Sequence, residues 1–414
     1  MKNIFDNLGL SDNLVAAIDC LGFEKPTQIQ EQAIPHIMEG KDVIGESATG
    51  SGKTLAFGCG IVEQVEQGKG LQALILTPTR ELAEQVMESL KEISKQDNLA
   101  VISVYGGVAI GPQMRSLREA DIVVATPGRL LDHMSRGTID LSKVKILVLD
   151  EADRMLDMGF IDDVEKIIRK CPRERQTLFF SATICGRIRD LSNRYMNKPV
   201  KVSAKKMVDP KKLRQVYYNV HKSMRISLLM HLLKKEKQGL VMVFCNTRDN
   251  TDFVVKNLKA NGVNAIAIHG GLSQNKRTRT LDLFNGAKVG VLVCTDVAAR
   301  GLHIDNVSHI YNYDLPKDPK DYVHRIGRTA RAGEKGKVIN LLCEYDHVNF
   351  SRILEQYRSF SIRKEEKPYV EKVKNLPVDR KPRNTFKRGP PRRKGRNFGV
   401  KKKFNRNARF YKRR

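Results

Sequence analysis

The stretch that most constrains this chain is Ser47-Ala48-Thr49-Gly50-Ser51-Gly52-Lys53-Thr54. A short apolar run, Asp42-Val43-Ile44, leads in, and a helix-like segment from Lys53 leads out. A strand, a glycine-rich turn and a helix start form the setting in which backbone N–H groups converge on a polyphosphate. Gly50 and Gly52 let the backbone come close without a Cβ in the way. Lys53 brings a mobile positive charge for the β- and γ-phosphates, and Thr54 a hydroxyl for Mg²⁺. Such loops usually open with Gly, where Ser47 stands here; the Gly52-Lys53-Thr54 end is intact.

A phosphate loop needs a carboxylate for its metal. Val144-Lys145-Ile146-Leu147-Val148-Leu149 reads as a buried strand with Asp150-Glu151 at its end. Ligands of open α/β sheets bind at the carboxyl ends of strands. Asp150 is thus placed to hold Mg²⁺, and Glu151 to orient or deprotonate the attacking water.

The remaining pattern fixes the fold class. Strand-like runs at 43–46, 73–77, 100–105, 121–125, 144–149 and 176–181 alternate with helix-like segments such as 80–93 and 127–134. A polar, basic stretch follows at 203–212, and the pattern restarts with runs at 216–220, 239–245, 264–268, 289–295, 309–313 and 337–342. Strands alternating with helices predict parallel sheets. The chain is therefore read as α/β, with two tandem sheet domains, 1–203 and 215–362, a linker at 204–214 and a tail at 363–414. The tail has too few apolar residues for a core and is expected to be disordered when free. In the first segment, Thr27 is a candidate N-cap, which would let Gln30 present its amide, both donor and acceptor, to an adenine edge.

Charge is uneven. The 414 residues carry a formal net charge of +28, from 74 basic and 46 acidic side chains. Residues 381–414 hold 16 Lys/Arg and no Asp/Glu, with Phe386, Phe398, Phe404, Phe410 and Tyr411 spaced among them, which leaves 58 − 46 = +12 for the rest. A polyanionic partner is the natural inference. No apolar run is long enough to span a bilayer. The first six residues show no apolar core of a secretory signal. The seven cysteines lie far apart and form no C-x-x-C, so free thiols and a cytoplasmic location are expected.

Three loops at strand ends carry further signals: Pro78-Thr79-Arg80-Glu81-Leu82-Ala83, Tyr105-Gly106-Gly107 and Thr126-Pro127-Gly128-Arg129. A hydroxyl, glycines with free N–H groups and two arginines on one sheet edge make a track for a phosphodiester backbone. The second half offers Cys294-Thr295-Asp296-Val297-Ala298-Ala299-Arg300-Gly301 after a strand. It then offers His324-Arg325-Ile326-Gly327-Arg328-Thr329-Ala330-Arg331. The arginines at spacing three could reach a triphosphate held by the first domain.

With these residues in hand, residues 1–362 resemble a DEAD-box RNA helicase, the four letters being Asp150-Glu151-Ala152-Asp153. The resemblance implies two RecA-like domains, with ATP and Mg²⁺ as cofactors and RNA, single-stranded or short duplex, as partner. Ribonucleoprotein complexes are a possible further partner, and no membrane is involved. It implies an adenine motif over 3–31, with Gln30 on the base and Phe5, Phe23 and Lys25 near it. Residues 47–54 and Gly301 join the nucleotide site. Lys53, Glu151, Arg328 and Arg331 are its catalytic set, Arg328 and Arg331 at the γ-phosphate. Asp153, Ser181, Thr183, Asp296, Arg300 and His324 couple hydrolysis to strand separation. Pro78, Thr79, Arg80, Gly106, Gly107, Thr126, Arg129, Asn246, Arg248, Gln274, Arg277 and Thr295 contact RNA. The family usually has Asp after Arg-Gly-Leu, for the ribose; here that residue is His303, and Asp305 follows two later. The activity implied is RNA-stimulated ATP hydrolysis with local unwinding or remodelling of short duplexes and RNA–protein complexes. The alternatives are an ATP-timed RNA clamp or annealing chaperone, and a helicase acting also on DNA.

Overall fold

Among the described residues, fourteen strands build two sheets. In a computed structural model, residues 4–47, 50–184, 186–204, 213–236, 239–299, 304, 307–329, 336–374 and 376 are described. The first sheet holds β1 (Val43–Glu46), β2 (Ala73–Leu76), β3 (Val101–Val104), β4 (Ile122–Ala125), β5 (Ile146–Asp150), β6 (Gln176–Ser181) and β7 (Val200–Ser203). The second holds β8 (Leu213–Asn219), β9 (Leu240–Cys245), β10 (Ala265–Ile268), β11 (Val291–Thr295), β12 (Val307–Asn312), β13 (Gly336–Leu342) and β14 (Ile362–Lys364).

The strand orders are β3-β4-β2-β5-β6-β1-β7 and β10-β11-β9-β12-β13-β8-β14. Adding seven to each label of the first gives the second, so the sheets are topological copies. Every pairing is parallel, as in β1 with β6, where Val43 faces Leu178, and in β8 with β13, where Val216 faces Ile339. Parallel sheets are covered on both faces, and their strands are apolar throughout rather than alternating. Ile75, Val124, Val148 and Leu178 join one core of the first sheet, while their neighbours Leu74, Val123, Leu147 and Phe179 join the other. Both sheets belong to one compact unit, residues 1–377.

All twelve expected strands are present, and two more sit at the sheet edges. β7 reads Val-Lys-Val-Ser and β14 Ile-Arg-Lys. An edge strand carries too few apolar residues to stand out in a sequence. β14 also overturns the expectation that nothing beyond 362 is packed: Ile362 to Lys364 pair with β8. Val370 and Val373 then pack on the second core, and the Leu376 N–H donates to Asn257 Oδ1 at 2.8 Å. Residues 377–414, on which the disordered-tail expectation falls, lie outside the described residues.

Candidate functional site

The phosphate loop leaves β1 and enters the helix Lys53–Gln64. Gly52 caps that helix at φ 89°, in the left-handed region, and a Cβ there would come within 2.4 Å of Gln30 Nε2. Thr27 indeed starts the helix Gln28–Met38, as its cap residue. The amide of Gln30 is already engaged: Oε1 accepts from the Thr27 N–H at 2.8 Å and Nε2 donates to the Gly52 carbonyl at 3.0 Å. Thr27 Oγ1 donates to the Ser51 carbonyl at 2.7 Å. The adenine motif therefore braces the loop, and each end of the Gln30 amide keeps one further bond for a base. Phe23 is 44% exposed beside it. Lys25 is exposed as well. Phe5 departs from expectation: it is fully buried in the first core, so it supports the motif and offers no surface to a ligand.

Within the loop, Lys53 is buried and its Nζ donates to the Ser47 carbonyl at 3.1 Å. The Ser51 hydroxyl donates to Ser47 Oγ at 2.8 Å, a bond that Gly at position 47 could not accept. Ala48 and Thr49 lie outside the described residues, as do Arg300, Gly301, His303, Asp305 and Arg331.

Asp150 closes β5, and Glu151 follows at φ 53°, ψ 49°, an unusual conformation for a residue with a Cβ. Both carboxyl groups are buried. Burial pushes the Asp150 carboxyl up to about 6, against the pull of Lys53 and with the help of the Glu151 charge. Burial also works to raise Glu151, but the Arg154 guanidinium, with Lys53, Arg328 and His324 behind it, outweighs burial and holds Glu151 below its ordinary value. Arg154 Nη1 lies 2.7 Å from Glu151 Oε2. Sequence reasoning missed Arg154, although its i,i+3 spacing from Glu151 on a helix was a usable signal. Asp150 and Thr54 give one carboxylate and one hydroxyl, a donor set that suits a hard cation which keeps waters and shares substrate phosphates.

Asp153 reaches the neighbouring strand end. Its Oδ2 accepts from the Thr183 N–H and from Thr183 Oγ1, both at 3.1 Å, and its own N–H donates to Ser181 Oγ at 3.2 Å. The acidic turn and the turn after β6 thus move as one piece.

The expected RNA track holds together in the first domain. The order β3-β4-β2 sets 105–107, 126–129 and 77–80 side by side. Thr79 caps the helix Arg80–Ile93, accepting from the Leu82 N–H. Pro78 is buried beside it. Gly107 has φ 83°, and a Cβ there would collide with the Arg80 guanidinium. Gly106 and Thr126 are half-buried. Arg129 braces the same edge, donating to the Val108 carbonyl at 3.0 Å and to Gln113 Oε1 at 3.2 Å.

The second domain carries the remaining expected RNA contacts. Arg248 is exposed and Thr295 buried at the end of β11. Asn246 is committed to its own framework: Nδ2 donates to the Leu315 carbonyl at 2.8 Å and Oδ1 accepts from Arg325 at 3.0 Å. Gln274 and Arg277 turn to the first domain, with Gln274 Nε2 at 3.3 Å and Arg277 Nη2 at 2.9 Å from Glu81 Oε1. Glu81 is a buried carboxylate that attracts both, which sequence spacing could not show. Gln274 Oε1 and Arg277 Nε remain buried without a partner. Asp296 holds Arg325 through two bonds, 2.6 and 2.7 Å, and Arg325 also donates to Asn312 and to the Asp314 carbonyl. Arg328 is buried. A small cavity between the sheets is lined by Arg154, Asp296, His324, Arg325 and Arg328.

One phosphate loop facing an acidic strand end, with a second sheet bringing arginines to the same seam, defines a two-domain motor ATPase. Comparison narrows this. The DEAD/DEAH box helicase family matches residues 27–191, and the helicase conserved C-terminal domain matches 224–333. The ATP-dependent RNA helicase CshA of Listeria monocytogenes is 46% identical over 356 residues, 85% of this chain and 68% of that protein. The DEAD-box ATP-dependent RNA helicase CshA of Geobacillus kaustophilus is 48% identical over 336 residues, 80% of this chain and 72% of that protein. Among solved structures, S. cerevisiae Dbp5 bound to RNA and ADP BeF3 aligns with a TM-score of 0.81 at 31% identity, over 88% of this chain and 96% of that one. The chain belongs to the DEAD/DEAH box helicase family. No helix among the described residues is long and apolar enough to cross a membrane.

Proposed function

We infer that this chain is an ATP-dependent RNA helicase, which binds RNA along the edge made by 77–80, 105–107 and 126–129 and hydrolyses ATP at the seam between its two sheets. The observation that carries this reading is Glu151. It is buried, held deprotonated by Arg154, and sits in the field of Lys53 from one domain and of Arg328 and His324 from the other. A carboxylate in that position orients a water for in-line attack, and positive charge from both domains stabilises the transferring phosphoryl group. Thr54 and Asp150 would hold Mg²⁺, which neutralises phosphate charge when bound. The Asp153–Thr183 bonds carry movement of the acidic turn to the turn after β6. Closure on ATP and RNA then bends one strand and opens a few base pairs. Gripping through phosphates and 2′-hydroxyls makes the action independent of sequence.

We place domain limits at 1–203 and, because β14, Val370, Val373 and Leu376 contact the second domain, at 213–376. Six described cysteines are free thiols, five of them buried, which supports a reducing, cytoplasmic setting. The 16 basic side chains of 381–414, without an acidic one, support a second reading as an annealing chaperone. The deciding experiment is steady-state ATPase with no nucleic acid, with single-stranded RNA and with DNA of the same sequence. Stimulation by RNA alone is expected. Equal stimulation by DNA would widen the substrate class. Strand annealing without ATP, with no ATP-dependent unwinding, would favour the chaperone.

A further inference from the structure

A cavity of about 430 Å³ opens at the carboxyl ends of β8, β9, β12 and β13. It lies in the second sheet where the phosphate loop lies in the first, and none of the site residues assigned so far lines it. Its floor is an ion-pair cluster. Arg225, almost fully buried, donates to Asp314 Oδ1 at 2.8 Å, to the Leu341 carbonyl at 2.8 Å and to Asp346. The other oxygen of Asp314 accepts from the Asn246 N–H at 2.9 Å and from Asn250 Nδ2 at 2.8 Å. One guanidinium held between two carboxylates makes the floor rigid.

The walls are aromatic and basic. Arg225 lies between Tyr313 and Tyr345, 5.2 and 5.4 Å from their ring centres, and donates to the Tyr345 hydroxyl at 2.9 Å. Tyr345 is pinned by these contacts and is still 54% exposed. Phe253 stands half-buried across the cavity, and His221 and Lys222 form an exposed rim. The exposed Glu344 lies 4.0 Å from His221 on this rim. A fixed aromatic platform beside cations binds a base by stacking and its phosphate by charge, and the volume suits one nucleotide. The cavity also adjoins the expected RNA contacts: Asn250 lines it two residues after Arg248, and Asp314 ties it to Asn246.

We propose that this cavity is an additional RNA subsite, which receives one nucleotide of the strand beyond those held by the core track, its base on Tyr345 and Phe253 and its phosphate at Lys222 and His221. The proposal rests on the RNA-helicase reading and adds a place where the strand continues.

The test uses the full chain with a non-hydrolysable ATP analogue and fluorescent single strands of about six and about twelve nucleotides. The unmodified chain should bind the longer strand more tightly. Tyr345→Ala should lower that gain about fivefold or more, and Lys222→Ala, an exposed change that cannot disturb folding, should lower it about two- to fivefold. Tyr345→Phe should restore it, because the platform and not the hydroxyl stacks the base. An unchanged gain in both Tyr345→Ala and Lys222→Ala would overturn the subsite. A second ADP bound per chain and lost in Tyr345→Ala, with the RNA gain unchanged, would reassign the cavity to free nucleotide and overturn it too. Failure of the unmodified chain to bind either strand would instead defeat the helicase reading.

Discussion

The turn after β1 and the turn after β8 hold the same place in two sheets of identical strand order, yet they do opposite things with charge. After β1, glycines open a loop, and among the described residues Lys53 donates only to the Ser47 carbonyl and Asp150 is buried with the Glu151 N–H as its one hydrogen-bond donor. After β8, Arg225 enters its helix with both terminal nitrogens bound and with two carboxylates, Asp314 and Asp346, closing around it. The first turn keeps its charges waiting for a ligand; the second has paired its guanidinium with carboxylates, only Arg225 Nε staying without a partner among the described residues. On the proposed reading, two copies of one topology divide the work, one hosting the triphosphate and the other presenting Arg328 to it. Fold alone does not determine which copy does which. The residues of one turn do.

The contrast is broken most severely by Arg225→Met. Removing one partner of a buried ionic cluster leaves Asp314 and Asp346 uncompensated, and the expected loss is about 3–5 kcal/mol of stability. Chemical denaturation measures it, and Lys53→Met, made for comparison, should lose much less. A small loss at Arg225 would mean that its cluster is not the fixed floor described above. Next in size is Glu151→Gln, which keeps the shape and removes the base. ATP turnover should fall about a hundredfold or more while ATP-dependent RNA binding survives. Normal turnover would reject Glu151 as the water-orienting group. Thr183→Val removes one of the two bonds to Asp153. It should cost about tenfold in unwinding with little change in RNA-stimulated ATPase, since a hydrogen bond to a charged group is worth about 1.5–3 kcal/mol. Equal losses in both assays would show that the bond supports the site rather than linking it to the strand-separating turn.

Much of this was legible in the sequence. Central strands are apolar from end to end, so all twelve could be read, and with them the strand ends that carry Asp150, Thr295 and the three first-domain loops. The edge strands β7 and β14 escaped because a strand covered on one side need not be apolar. At the site, residue types with a fixed local geometry were placed well: Gly52 at a left-handed helix cap, Thr27 and Thr79 as N-caps, Asp150 at a strand end. What could not be read was which polar group meets which across the fold. That Gln274 and Arg277, expected RNA contacts, both meet the buried Glu81, 193 residues from Gln274 in the chain, was one such pairing. Arg154 and Arg225 were hidden for the same reason: a buried arginine is identified by its acids, and pairing is a property of the folded chain.

The finest test of the comparison replaces the corresponding acids one at a time. The folded-state value of the Asp150 carboxyl is raised by burial from 3.8 to about 6, so the folded protein prefers it protonated. Its charge costs stability above that value, and the cost disappears below the unfolded value. Asp150→Asn should therefore stabilise the free protein by about 1 kcal/mol near neutral pH, and the gain should fade as pH drops from about 6 towards 4. Asp314→Asn should instead destabilise the free protein at neutral pH, since Asp314 already faces Arg225, Asn246 and Asn250 and its charge is used. Thermal melting at neutral pH reads both, and repeating it across pH reads the Asp150 gain. Opposite signs at the two positions would establish that the first sheet stores an unsatisfied acid for its ligand while the second does not. A loss at Asp150 would mean that Lys53 already compensates it, and that the nucleotide site is assembled without stored cost.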